Sequence, residues 1–179
     1  MTKSRLTILI LSVIALVALT GVLVYESCLP GKVSSEHSGA VSDAVIDATE
    51  NIESVVGGGG ESTPDKPSLS DKMKDNFSDF TYYVRKGIGH FGAFLVLAVF
   101  ATLAFLLSHV KPFPALLLTI IYGFFFATFT ESLQLITPGR VGAIKDVLLD
   151  FSGYLVGTVI TLLVLLIIRV VKKKKLKLA

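Results

Sequence analysis

Residues 122–157, YGFFFATFTESLQLITPGRVGAIKDVLLDFSGYLVG, decide the fold. Two apolar runs flank a polar turn, a pattern that predicts a membrane-spanning helical hairpin. Ionisable groups stand inside or beside the apolar runs: Glu131, Arg140, Lys145, Asp146 and Asp150. A charge near hydrocarbon costs about 2–3 kcal/mol even on lenient scales unless it is paired or wetted. Internal partners or a ligand must offset several such costs within a short stretch. Glu131 and Gln134 are three apart and share a helix face, and Gly123 and Ala127 continue that stripe inward. On the next helix Asp146, Asp150, Gly153, Gly157 and Thr161 recur at steps of 4, 3, 4 and 4. Gly153 and Gly157 form a small-xxx-small pair, which permits close helix approach in a bilayer. Pro138-Gly139 suits the centre of a tight turn, and Arg140 follows directly.

Composition agrees with a membrane protein. Of 179 residues 52% are hydrophobic, and mean hydropathy is +0.71, far from that of a water-soluble domain of this length. A single cysteine, Cys28, excludes an intrachain disulfide. Tryptophan is absent, so interface anchoring falls to Tyr and Phe. The net charge of +3 hides an asymmetry. Lys3 and Arg5 open the chain, and Arg169, Lys172, Lys173, Lys174, Lys175 and Lys177 close it, whereas residues 26–86 hold eleven acids against six bases. A lysine run directly after an apolar helix reads as a topology determinant and a contact for anionic membrane lipids, rather than as a nucleic-acid site.

Residues 6–24 are nineteen apolar or small residues, long enough to span a bilayer. A cleaved signal peptide is the rival reading, but no small-x-small cleavage site follows, and Tyr25-Glu26-Ser27 before Cys28 matches a lipoprotein site poorly. Val41, Ala44, Val45, Ala48, Ile52, Val55 and Val56 then recur at helical spacing, which predicts an amphipathic helix on the membrane surface or over the spans. Gly57–Gly60 through Pro67 is a flexible break, and 68–86 is helical by pattern, with Leu69, Met73, Phe77, Phe80 and Val84 on one side. Further spans are expected at 88–108, 114–135 and 147–168. The fold class is therefore all-α: an integral membrane bundle of four transmembrane helices, with an extracytoplasmic, partly helical segment between the first and second. Its divisions are residues 1–28, 29–86, 87–171 and a basic tail at 172–179. The charge bias makes both termini cytoplasmic.

The order E-x-x-Q, P-G-R, D, then D-x-x-G-x-x-x-G resembles the VanZ-like membrane proteins of bacteria. The residues carrying it are Glu131, Gln134, Pro138, Arg140, Asp146, Gly153 and Gly157. Asp150 stands where that family commonly has Asn. The stretch Lys86-x-x-x-His90-Phe91 is a second motif of the family, which usually has Tyr at the position of Phe94. LPGKVSSEHS at 29–38 resembles its short motif after the first span. The founding member is associated with low-level teicoplanin resistance. The resemblance implies action at the outer face of the bacterial cytoplasmic membrane, on a lipid-linked cell-wall precursor or a lipoglycopeptide.

The topology brings Lys86, His90, Glu131, Gln134, Arg140, Asp146 and Asp150 to one end of the bundle, as a candidate ligand-binding site built from three helices. Two readings of the cluster stand side by side. The ions can stitch the bundle, with Glu131 on Arg140 and Asp146 on Lys145 or Lys86, since polar contacts between membrane helices contribute about 0.6–2 kcal/mol each. Alternatively they form a site, with Arg140, Lys86 and His90 holding a phosphate or acidic terminus. Three functions are open: binding of an envelope lipid, an enzyme using His90 with Glu131 or Asp146, or an accessory subunit acting through 26–86. A transporter fits poorly, as four spans without repeats offer little for alternating access. No cofactor or metal is expected, because no H-E-x-x-H-type spacing occurs and one His with scattered acids is a weak metal signal.

Overall fold

A computed structural model of the chain describes residues 3–56 and 67–178. In order the helices are α1 (Lys3–Cys28), α2 (Gly31–Val56), α3 (Leu69–Asp75), α4 (Phe77–Val84), a π-helical segment (Arg85–Gly92), α5 (Ala93–Leu107), α6 (Pro112–Ile136) and α7 (Ile144–Leu178). No strand occurs among the described residues. Four helical stretches are long and apolar enough to cross a membrane: Lys3–Cys28, Phe77–Leu107, Pro112–Ile136 and Ile144–Lys174. The protein is thus an all-α, multi-pass membrane bundle. Its many exposed large side chains, such as Leu117, Phe125, Leu163 and Ile167, form a lipid-facing surface that would be an aggregation liability in water.

Several boundaries differ from those the sequence predicts. The second spanning helix begins at Phe77 rather than at Ile88, because α4, the π-helical segment and α5 run on without a break. Gly87, Gly89 and Gly92 lower helix propensity there, and the backbone stays helical by widening its turn instead of ending. The last helix continues through Lys172–Lys174. At 1.5 Å per residue its 35 residues extend about 52 Å, well past a hydrocarbon core of about 30 Å. The expected amphipathic helix is α2. Of the glycine-rich break, only Pro67 falls within the described residues.

α5 is the central element, packed on α7, α1 and α6. Phe94, Leu97, Ala98, Ala101, Phe126, Ala127 and Tyr154 form the core. Small residues set its closest contacts. Gly157 lies against the Leu95 carbonyl and the Ala98 Cβ, and Gly153 against the Phe91 carbonyl, so neither position has room for a Cβ. The Tyr154 ring likewise fills the space over Gly123. The glycine pair of the sequence thus seats α7 on the second spanning helix, and the stripe through Gly123 and Ala127 seats α6 on α7. α1 is tied to α6 by Thr20 Oγ1 and Tyr122 Oη at 2.6 Å, and by Thr137 Oγ1 donating to the Ser27 carbonyl at 3.1 Å. α3 docks on α2 because Glu53 accepts from Leu69 N at 2.7 Å and from Ser70 Oγ at 2.6 Å.

Between α6 and α7 the chain makes a type II turn. Pro138 sits at its second position, Gly139 at its third with φ +71°, and Arg140 N closes it on Thr137 O at 3.2 Å. Gly31 N donates to Pro138 O at 3.0 Å, and the Gly139 carbonyl occupies the space a side chain on residue 31 would need.

Gly157→Leu is expected to force α5 and α7 apart, with an overpacking cost of about 1–3 kcal/mol. Gly21→Leu has nothing within 4 Å of the added carbon and should be tolerated. Thermal unfolding of the two variants in the same detergent checks this, with a lowered midpoint expected for Gly157→Leu alone.

Candidate functional site: a two-guanidinium cavity beside a buried ion ladder

The C-terminal ends of α1 and α6 meet the N-terminal ends of the π-helical segment and α7. All the polar contacts below lie at that end, and the described basic residues of the two chain termini lie at the other.

Lys86 and His90, four apart, face Asp146 and Asp150, also four apart. The Lys86 ammonium pairs with Asp146, and His90 Nδ1 lies 3.0 Å from Asp150 Oδ1. A carboxylate only accepts, so Nδ1 carries the hydrogen and Nε2 is the free ring nitrogen. Among the described residues no group bonds Nε2. His90 and Asp150 are 7% and 1% exposed, and their pairing offsets the cost of that burial. Glu131, 3% exposed, is held from two sides: Gln134 Nε2 donates to Oε1 at 3.1 Å and Ala143 N donates to Oε2 at 3.0 Å. Its Oε1 lies 3.8 Å from His90 Nδ1, so two carboxylates approach the same ring nitrogen.

Arg140 goes elsewhere. Its Nη1 donates to Ser34 Oγ at 2.6 Å and to the Glu26 carbonyl at 3.3 Å, and its Nε is enclosed without a partner. The pairing of Glu131 with Arg140 expected under the stitching account does not form, because the turn aims the guanidinium at α1 and α2. Burial and then the Arg85 charge lower the Arg140 pKa from its ordinary value. Two guanidiniums therefore face one region, and among the described residues no carboxylate lies within ion-pair distance of either.

That region is a cavity of about 510 Å³. Of the residues expected from sequence, His90, Gln134, Arg140 and Asp150 line it, while Lys86, Glu131 and Asp146 stand behind it. Arg85, Glu26, Ser34 and His37 line it too, and none was expected as a site residue. Val22, Leu23, Val41, Val84, Ile88 and Phe94 supply an apolar wall. Of the two roles expected for Lys86, partner of Asp146 or phosphate ligand, the structure shows the first, and its neighbour Arg85 faces the cavity. The signal for Arg85 was its place beside Lys86, and for Ser34 its place in the 29–38 motif. The π-helical turn explains the exchange. Its i→i+5 bonding stacks residues five apart about one turn above each other, so Arg85 and His90 reach the same cavity. On an α-helix they would diverge by about 140°.

One ligand atom each from His90, Glu131 and Asp146 lie within 4.8 Å of one another, and these residue types can hold a divalent cation. The cation seen against Asp146 is the Lys86 ammonium.

The Lys86–Asp146 pair is expected to be coupled by about 0.5–3 kcal/mol. Lys86→Met and Asp146→Leu should each destabilise the bundle, because each leaves a half-buried charge alone, and the double variant should regain much of the loss. Unfolding free energies of the four proteins in one detergent test this. Additive losses would mean that the two side chains do not interact.

Compared with known families, residues 12–167 match the model of the family described as VanZ/LLP1. No curated protein and no solved structure matches the chain. The matched stretch contains all the cavity's lining residues.

Proposed function

The chain belongs to the VanZ/LLP1 family, and from that premise we propose that it binds an anionic amphiphile in this cavity, at the outer face of a bacterial cytoplasmic membrane. The ligand class is a lipid-linked envelope precursor or a lipoglycopeptide of the teicoplanin kind. The observation that carries this reading is the pairing of two guanidiniums lacking carboxylate partners with an apolar wall in one cavity. Guanidinium forks suit phosphate and carboxylate groups. Val22, Leu23 and Val41 offer the beginning of an acyl or prenyl chain an apolar path. The ligand charge would relieve the repulsion between Arg85 and Arg140, which is a physical reason for selecting anions. His90 and Gln134 lie where they can meet the polar headgroup, Asp150 holds the His90 ring, and Lys86, Glu131 and Asp146 hold that wall in place.

The orientation rests on charge. Lys3, Arg5, Arg169 and Lys172–Lys174 stand at the end away from the cavity, and the positive-inside rule makes that end cytoplasmic. Both termini are then cytoplasmic, and α2, α3 and the cavity lie outside.

Purified protein in nanodiscs is expected to bind a long-chain prenyl diphosphate. Arg140→Ala and Arg85→Ala should each weaken binding at least ~10-fold, about 1.4 kcal/mol, while Lys172→Ala leaves it unchanged. Native mass spectrometry of the complexes reads this directly, and equal affinity in all four proteins would reject the cavity as the binding place. In a sensitive host at equal membrane abundance, wild type should raise teicoplanin tolerance and Arg140→Ala should not. Cys28, exposed at the end of α1, should react in intact cells with a membrane-impermeant maleimide. Labelling only after permeabilisation would reverse the orientation.

A further inference from the structure

We infer that His90 is a general base, and that the cavity hydrolyses a phosphoester or phosphoanhydride of the amphiphile it binds. This deepens the binding reading above and rests on it. Nδ1 of His90 is fixed by Asp150 at 3.0 Å, with Glu131 at 3.8 Å beyond, so the ring is oriented and its tautomer set. The nitrogen left over, Nε2, has no partner among the described residues, and His90 lines the cavity. A histidine that only joined helices would gain from bonding both nitrogens. A base oriented by a carboxylate, with its other nitrogen unbonded and its residue lining the substrate space, is the arrangement general-base catalysis needs. The π-helical turn adds the second requirement. It stacks Arg85 one turn from His90, so a phosphoryl group on the guanidiniums lies beside the base.

The nucleophile is water: among the described residues no lining hydroxyl is hydrogen-bonded to His90, and three of the four donate to backbone carbonyls. Thr130 Oγ1 donates to Phe126 O and Ala127 O, both at 3.1 Å. Ser27 Oγ donates to Leu23 O at 2.8 Å, and Ser38 Oγ to Ser34 O at 2.9 Å. Ser34 Oγ accepts from Arg140 at 2.6 Å. In the step, Nε2 takes a proton from water as the water oxygen bonds phosphorus. The bond from phosphorus to the leaving oxygen breaks with its electron pair. That oxygen takes the proton back from the imidazolium, which Asp150 stabilises meanwhile. A prenyl diphosphate yields prenyl phosphate and inorganic phosphate, and a glycerophospholipid diester yields a monoester and an alcohol. Arg85 and Arg140 stabilise the charge that builds on the phosphoryl oxygens.

The test uses the full chain in nanodiscs with two probes supplied separately, a long-chain prenyl diphosphate and phosphatidylglycerol. Product is followed by mass spectrometry in water enriched in oxygen-18. One labelled oxygen in the released phosphate is expected with the first probe, or in the phosphomonoester with the second, and the probe that turns over names the source. His90→Gln should lower the rate at least ~10²-fold while the probe still binds. Should His90→Gln lose its cooperative thermal unfolding, Asp150→Asn decides. It keeps the shape of the side chain, and as a positioning residue it should lower kcat with little change in KM. Binding that depends on Arg140, without turnover of either probe, overturns the base and leaves the binding reading standing. Turnover that survives both substitutions also overturns the base. Failure of both probes to bind overturns both readings together.

Discussion

The contact between the π-helical segment with α5 and the N-terminal half of α7 sets the geometry of the rest. Backbone carbonyls of Phe91 and Leu95 lie where residues 153 and 157 would carry a Cβ. Only that close approach brings Lys86 and His90 across to Asp146 and Asp150. The energetics favour reading this order causally. Opposite charges at about 4 Å gain roughly 4 kcal/mol at an effective dielectric near 20. Removing each ion from water costs several kcal/mol. The ladder therefore comes close to breaking even and cannot pull two helices together. Packing at the glycines supplies the approach, and the Lys86–Asp146 ion pair with the His90–Asp150 hydrogen bond fixes the register and penalises any slip by one residue.

The ionic groups at this end divide by whether their partners are internal. Lys86 and Asp146 answer each other, and Glu131 is satisfied by Gln134 and Ala143. A stitching account explains these three well. It does not explain Arg85, Arg140 and the second nitrogen of His90. Each retains hydrogen-bonding capacity toward one cavity, and two of them carry like charge. A bundle selected only for stability would neutralise that arrangement with a single carboxylate. Glu26 and Asp150 both line the cavity, yet neither lies within ion-pair distance of a guanidinium.

Much of this was legible in the sequence, for reasons that follow from helix periodicity. The four spans, the hairpin turn and the glycine stripe are local patterns, and a repeat of 3.6 residues exposes them. Matching spacing also made the faces of Lys86 with His90 and of Asp146 with Asp150 readable. The π-helical segment was not readable, because its three glycines mark only weak propensity and not the wider turn. The sequence therefore points to no role for Arg85, and leaves Lys86 either as a phosphate ligand or as the partner of Asp146 that the structure shows. The Arg140–Ser34 contact joins residues 106 apart in the chain, and no local pattern reports such a pair. The 29–38 motif and the Pro-Gly-Arg turn were each visible, yet their contact through Gly31 and Gly139 depends on where α1 ends.

Arg140 links those two motifs, and its position shows why the cavity sits beside α2. The seam of α5 with α7 is closed by small residues and leaves no space. The widened turn at Arg85–Gly92 instead leaves room on the side facing α1, and α2 covers it with Ser34, His37, Ser38 and Val41. Three contacts hold the start of that cover: the Gly31–Pro138 hydrogen bond, the Arg140 guanidinium on Ser34 and Glu26, and His37 Nδ1 on the Glu26 carboxylate at 3.1 Å. The same guanidinium keeps its Nε unpartnered. Arg140 is thus both the proposed anion ligand and an anchor for the start of α2.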